Sequence, residues 1–245
     1  ITQAYPTFLS VLAKTLAPIR RKMRLTLLLM LLLFSIAGKS QSSYSGYLGE
    51  FPITLVIYHY SDGVSLAYYA YNNYDIPITI NGRLKKGTLE LFEKNKDGNN
   101  SAILIFEGFD EGNQEIKGKW INSDSSKTYQ ITLKKDFDIG YGVNLEWANK
   151  ELLQSKSTKE HYFKTMITKE KGDFSARISG VKIFQKQTDK LIQTIELDCQ
   201  LFGVDNLSVG DYNFDGIQDF SVFEASYAGP NTSSIYILRN PNSDQ

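Results

Sequence analysis

The stretch Ile53-Thr-Leu-Val-Ile-Tyr-His-Tyr60, Ser61-Asp-Gly63, Val64-Ser-Leu-Ala-Tyr-Tyr-Ala-Tyr71 sets the fold class. Two runs rich in β-branched and aromatic residues flank a Ser-Asp-Gly break, the composition of two strands joined by a tight turn. Both runs are apolar or aromatic on both faces, so each face needs a cover, as in an up-and-down barrel or a tight sandwich. A barrel mouth lined by Tyr58, Tyr60, Tyr68, Tyr69, Tyr71 and Tyr74 could hold a small apolar or sugar-like ligand. Strand propensity with wet hydroxyls also accounts for these tyrosines. His59, inside the first run, reads as a packed or hydrogen-bonded residue.

Working outward, the same pattern fills residues 42–135, with apolar stretches and turn signals ten to thirteen residues apart. Strands are expected at Ile53–Tyr60, Val64–Tyr71, Ile76–Leu84, Thr88–Lys94, Ser101–Phe109, Gln114–Asn122 and Lys127–Lys135. Breaks such as Lys86-Gly87, Asp97-Gly98-Asn99-Asn100 and Asp110-Glu111-Gly112-Asn113 separate them. Ile116, Gly118 and Trp120 alternate with Lys117 and Lys119, and Tyr129, Ile131 and Leu133 alternate with Gln130, Thr132 and Lys134. Such alternation buries one face of an antiparallel sheet and wets the other.

Residues 136–172 read as a connector, with a loop-like Asp136–Gly142, a short helix over Leu145–Ser155 and a charged Lys156–Lys171 carrying an exposed His161. From Asp173 strands return at Phe174–Lys186 and Leu191–Leu201, and again at Ile235–Arg239. A sheet ending there leaves an unpaired edge, which points to a truncated C-terminus.

Between these strands lies Asp211-Tyr-Asn-Phe-Asp-Gly-Ile-Gln-Asp219. Side-chain oxygens at relative positions 1, 3, 5 and 9 (Asp211, Asn213, Asp215, Asp219) and the Ile217 carbonyl at position 7 match a calcium loop, with Gly216 supplying the sharp turn. Position 12 is Val222 rather than Glu, and the flanks favour strands, so the expectation is a β-hairpin calcium loop rather than an EF-hand. Three carboxylates within nine residues, with no Lys or Arg from 205 to 238, repel one another unless a cation sits between them. An Asx-rich turn without metal is the alternative.

The chain has 245 residues, 42% hydrophobic and 13% aromatic, enough for a sizeable core. Its 27 basic and 27 acidic residues cancel, which gives no electrostatic reason to expect nucleic acid or an anionic membrane. The single Cys199 cannot form an internal disulfide and reads as a small buried hydrophobe. With only 2 histidines, a multi-histidine metal site is excluded. Residues 1–22 read as an upstream extension. From Met23, the basic Arg24, the run Leu25–Ala37 and the small-residue zone Gly38–Gln41 form an export signal, with a signal anchor as the alternative. The apolar run is shorter than the ~20 residues of a spanning helix. A periplasmic or secreted location follows.

Two resemblances add to this. Gly46–Thr54, Tyr68-Tyr-Ala-Tyr71, Gly87–Glu93 and Ile116-Lys-Gly-Lys-Trp120 resemble exported β-domains of the Bacteroidetes, which implies export and fold without an assigned chemistry. Gly210–Phe220, Gly229-Pro-Asn-Thr232 and Tyr236-Ile-Leu238 resemble calcium-binding periplasmic immunity proteins that inhibit lysozyme-like effectors of bacterial killing systems. That resemblance implies calcium at Asp211, Asn213, Asp215 and Asp219, and a peptidoglycan hydrolase or other envelope protein as partner.

The expected architecture is all-β. An antiparallel meander (barrel or sandwich) over 42–135 is followed, after the connector, by a smaller β-domain over 173–245 with the calcium-loop hairpin. The expected function is a non-enzymatic, exported, calcium-binding module, with Tyr227, Asn231, Thr232 and Ser233 as candidate partner contacts. Metal ligation would lower the ordering cost of the neighbouring 228–234 segment. A small-ligand carrier in the N-terminal barrel is one alternative. A glycan hydrolase using Glu224 and Asp205 is another, although no Ser-His-Asp, Cys-His, phosphate-loop or zinc spacing is present.

Overall fold

The computed structural model describes residues 40–72, 76–201, 203–228 and 230–240. These form an all-β protein of fifteen strands. β1 (Ser40–Leu48), β2 (Phe51–His59), β3 (Val64–Tyr71), β4 (Ile78–Lys85), β5 (Thr88–Lys94), β6 (Asn100–Glu107), β7 (Glu115–Asn122) and β8 (Thr128–Asp138) each pair with the next, and β8 returns to β1 to close an antiparallel barrel. The expected export signal and Tyr74 lie outside the described residues. β1 starts two residues before the expected domain boundary at 42.

Alternation along the strands fills the barrel. Tyr44, Leu48, Leu55, Ile57, Tyr69, Leu91, Leu104, Phe106 and Leu133 belong to one buried cluster inside it. Eight strands enclose a space that side chains fill, so the interior is packed core. Two glycines mark close backbone approach. A Cβ on Gly82 of β4 would lie 1.7 Å from the Glu90 carbonyl of β5, and one on Gly46 of β1 would lie 2.2 Å from the Thr132 carbonyl of β8.

The second half builds two further sheets. β9 (Trp147–Ser157), β10 (His161–Lys169), β11 (Arg177–Gln185) and β12 (Lys190–Gln200) form an antiparallel sheet in the order β12-β11-β10-β9. β13 (Leu207–Gly210), β14 (Asp219–Ser226) and β15 (Thr232–Ile237) form a three-stranded one. The helix expected over Leu145–Ser155 is therefore corrected to strand β9, and the charged run beyond it to β10, where His161 is half-buried. In β10, Tyr162, Phe163, Thr165, Ile167 and Lys169 are buried while Lys164, Met166 and Thr168 between them are half-buried, a period of two that charge counting does not detect.

Both faces of the β2–β3 hairpin are covered, as its composition demands. Leu55, Ile57, Ala67 and Tyr69 point into the barrel, while Val56, Tyr68 and Ala70 on the outer face join a core with Leu152, Leu153, Phe163, Ile178, Cys199 and Phe220. Tyr68 fixes this junction, with its hydroxyl 2.7 Å from the Leu153 carbonyl and 3.0 Å from that of Val204. Among the described residues no helix is long and apolar enough to cross a membrane.

Candidate functional site

The Asp211–Asp219 segment closes the β13–β14 hairpin, with Gly210 paired to Asp219 at its base. Strands flank it on both sides, as its neighbours' composition implies. Asp211 Oδ1 and Asn213 Oδ1 both accept from the Asp215 N–H, at 3.1 and 3.2 Å, so positions 1 and 3 converge on one point. Asp211 Oδ2 accepts from Gly216 N at 2.9 Å. Asp215 is turned within the loop, its Oδ2 accepting from Asn213 Nδ2 at 2.8 Å and its Oδ1 from Ile217 N at 2.8 Å. Asp219, 1% exposed, fastens the base by accepting from Tyr212 N at 3.0 Å and from Arg239 N at 2.8 Å.

These are hard oxygen donors in the order that a calcium loop uses, and Asp211, Asn213, Asp215 and the Ile217 carbonyl are the groups that would hold the ion. Among the described residues no three or more His, Cys, Asp or Glu side chains are grouped for a metal. Asp211, Asp215 and Asp219 each face N–H donors of the loop or its base. To ligate an ion, Asp215 would have to exchange the Asn213 amide for it. Asp219 keeps lone pairs beyond its two backbone partners, and the ninth position often acts through a water.

The loop is docked on the four-stranded sheet. Gln218 Oε1 accepts from Lys159 N at 2.9 Å, and Arg239 pairs with Glu160 at 2.8 Å. That hydrogen bond from Arg239 holds the Glu160 carboxyl below its usual range.

The candidate partner residues gather elsewhere. Tyr227, 59% exposed, donates its N–H to the Asn231 carbonyl and accepts at its hydroxyl from Ser233 Oγ, with Thr232 exposed beside them. This turn lies at the Ser226 end of β14 and the loop at the Asp219 end, about 23 Å apart at ~3.3 Å per residue. A cation in the loop would therefore not touch Tyr227, Asn231, Thr232 or Ser233.

The loop end instead presents Phe214, which sequence reasoning passed over. It is 91% exposed and held at φ 61°, a left-handed conformation that bulky residues rarely adopt. Tyr236 on β15 is 59% exposed and packs edge-on against Tyr212 at 4.8 Å, and Leu238, 53% exposed, follows β15. A bulky apolar residue between two metal-type ligands was the available signal.

The remaining candidates have settled surroundings. Cys199 is buried, and burial pushes its thiol up. His59 Nδ1 lies 2.7 Å from Ser65 Oγ. Asp205 accepts from Ser155 Oγ at 2.8 Å, and Glu224 is half-buried on β14. The tyrosines divide between faces: Tyr69 is in the barrel core with Tyr71 packed against it, Tyr68 is buried outside, and Tyr58 and Tyr60 border an external cleft with Asp205. Comparison with protein-family models, curated proteins and solved structures finds no match to this chain.

Proposed function

We infer that the protein is an exported, non-catalytic binding module in which calcium in the Asp211–Asp219 loop fixes an apolar contact for a partner protein. What supports this most is Phe214. An almost fully exposed phenylalanine in a left-handed conformation stores strain, and aromatic anchors of this kind carry much of the energy of protein interfaces. Ligation on either side of it by Asn213 and Asp215 would hold the ring outward and lower the ordering cost of binding.

The resemblance of 210–238 to periplasmic inhibitors of lysozyme-like effectors makes a peptidoglycan hydrolase the partner class to test. The full chain is titrated into a muramidase lysis assay in calcium and in chelator, beside Phe214→Ala. Inhibition that needs calcium and is lost in the variant is expected. Undiminished lysis at every protein concentration contradicts the partner class.

A further inference from the structure

A concavity of about 430 Å³ lies where the barrel's outer wall meets the 203–205 segment. That volume falls within the roughly 300–1,000 Å³ of small-molecule sites. Tyr58, Tyr60 and Leu66 come from the β2–β3 hairpin, Tyr141 follows β8, Gln41 belongs to β1, and Asp205 precedes β13. Tyr58 and Tyr60 sit two apart on one face of the chain, with rings edge to face at 4.4 Å.

Gln41 lies at the centre of the polar part. It is 1% exposed, and its Nε2 donates to the Tyr141 hydroxyl at 3.3 Å. Burial, then the neighbouring Tyr60 and Tyr141 hydroxyls, raise the Tyr58 pKa. The Gln41 Oε1 is buried and accepts no hydrogen bond among the described residues. A buried acceptor left without a donor costs free energy that a ligand hydroxyl would recover.

The lining selects a ligand class. Among the described residues of its lining, Asp205 is the one charged side chain and no Lys or Arg is present, so phosphates and carboxylates find no cation there. A purely apolar ligand would strip water from three phenol hydroxyls, an amide and a carboxylate without replacing it. A pyranose ring answers both demands, with a C–H face for the aromatic rings and a rim of hydroxyls for the polar groups. We propose that this cleft binds a neutral saccharide unit, with the Tyr58, Tyr60 and Tyr141 rings against its C–H face and Gln41 and Asp205 engaging its hydroxyls.

The test is saturation-transfer difference NMR on the full chain with chitotriose, maltotriose and trigalacturonate, followed by calorimetric titration of each responding sugar. Transfer to at least one neutral trisaccharide and none to trigalacturonate is expected. Tyr60→Ala should weaken binding roughly three- to tenfold, the value of one aromatic contact. Asp205→Asn keeps an acceptor for Ser155 and removes only charge, which separates binding from folding, and thermal melts verify both variants. No transfer to either neutral sugar, equal binding of trigalacturonate, or full affinity in both folded variants would overturn the proposal.

Discussion

Replacing Tyr68 by Phe removes one oxygen from the junction between the barrel and the second half. Tyr68 is 4% exposed, and its hydroxyl stands 2.7 Å from Leu153 O and 3.0 Å from Val204 O. Phe keeps the ring in place, so the packing term is unchanged. What is lost is a hydrogen bond worth about 0.5–1.5 kcal/mol net, together with a desolvation cost of about 1–3 kcal/mol for a buried carbonyl left short of a donor. Gln154 Nε2 reaches both carbonyls only at 3.4 Å, so compensation is weak. A loss of about 2 kcal/mol corresponds to a fall in Tm of about 4–8 °C for a chain of this size. Differential scanning calorimetry at neutral pH reads the shift. The shared core of Val56, Tyr68, Leu152, Phe163 and Phe220 also requires the barrel and the sheets to melt together. An unchanged Tm, or a two-step melt with only one step displaced, would refute the assignment of Tyr68 as the tie.

Burial pushes the Tyr44 phenol up to about 12. The folded state therefore keeps a proton that the unfolded chain releases near pH 10, so stability is whole below about pH 10 and falls by about 1.4 kcal/mol per unit as pH rises towards 12. Urea melts across that window should show this slope reduced in Tyr44→Phe. Gly82→Ala drives a Cβ to within 1.7 Å of the Glu90 carbonyl, and a loss of about 3 kcal/mol or more in urea unfolding is expected from the overpacking. Phe214→Gly should raise Tm by about 2–4 °C, because it relieves about 1 kcal/mol of left-handed strain and gives up almost no packing. A fall in Tm would show that the ring packs against the protein in solution.

The sequence carried most of the barrel because its strands alternate cleanly and end at Gly, Asn and Asp turns. β1 is not legible as a strand because Ser42, Ser43 and Ser45 mask the inward series Tyr44, Gly46, Leu48. Those serines donate to Asp136 and Asp138 along the seam with β8, a pairing visible only once the barrel closes. The β9 stretch reads as helix because Leu152 and Leu153 are adjacent within a polar, charged run. In a strand, neighbours point to opposite faces, and here both faces are covered. The loop hairpin was legible from ligand spacing and strand-forming flanks. The Gln41–Tyr58–Tyr141 cleft was not, because its members are far apart in the chain and meet only through barrel closure.

Calcium titration calorimetry on the full chain, with thermal melts in calcium and in chelator and Asp215→Ala as control, tests the central claim most directly. The expected result is a single saturable heat. At free calcium about a hundredfold above Kd, mass action adds about 2.7 kcal/mol of stability, and both signals vanish in the variant. No heat, and one melting temperature in calcium and in chelator, would reduce Asp211–Asp219 to a polar turn closed by its own hydrogen bonds.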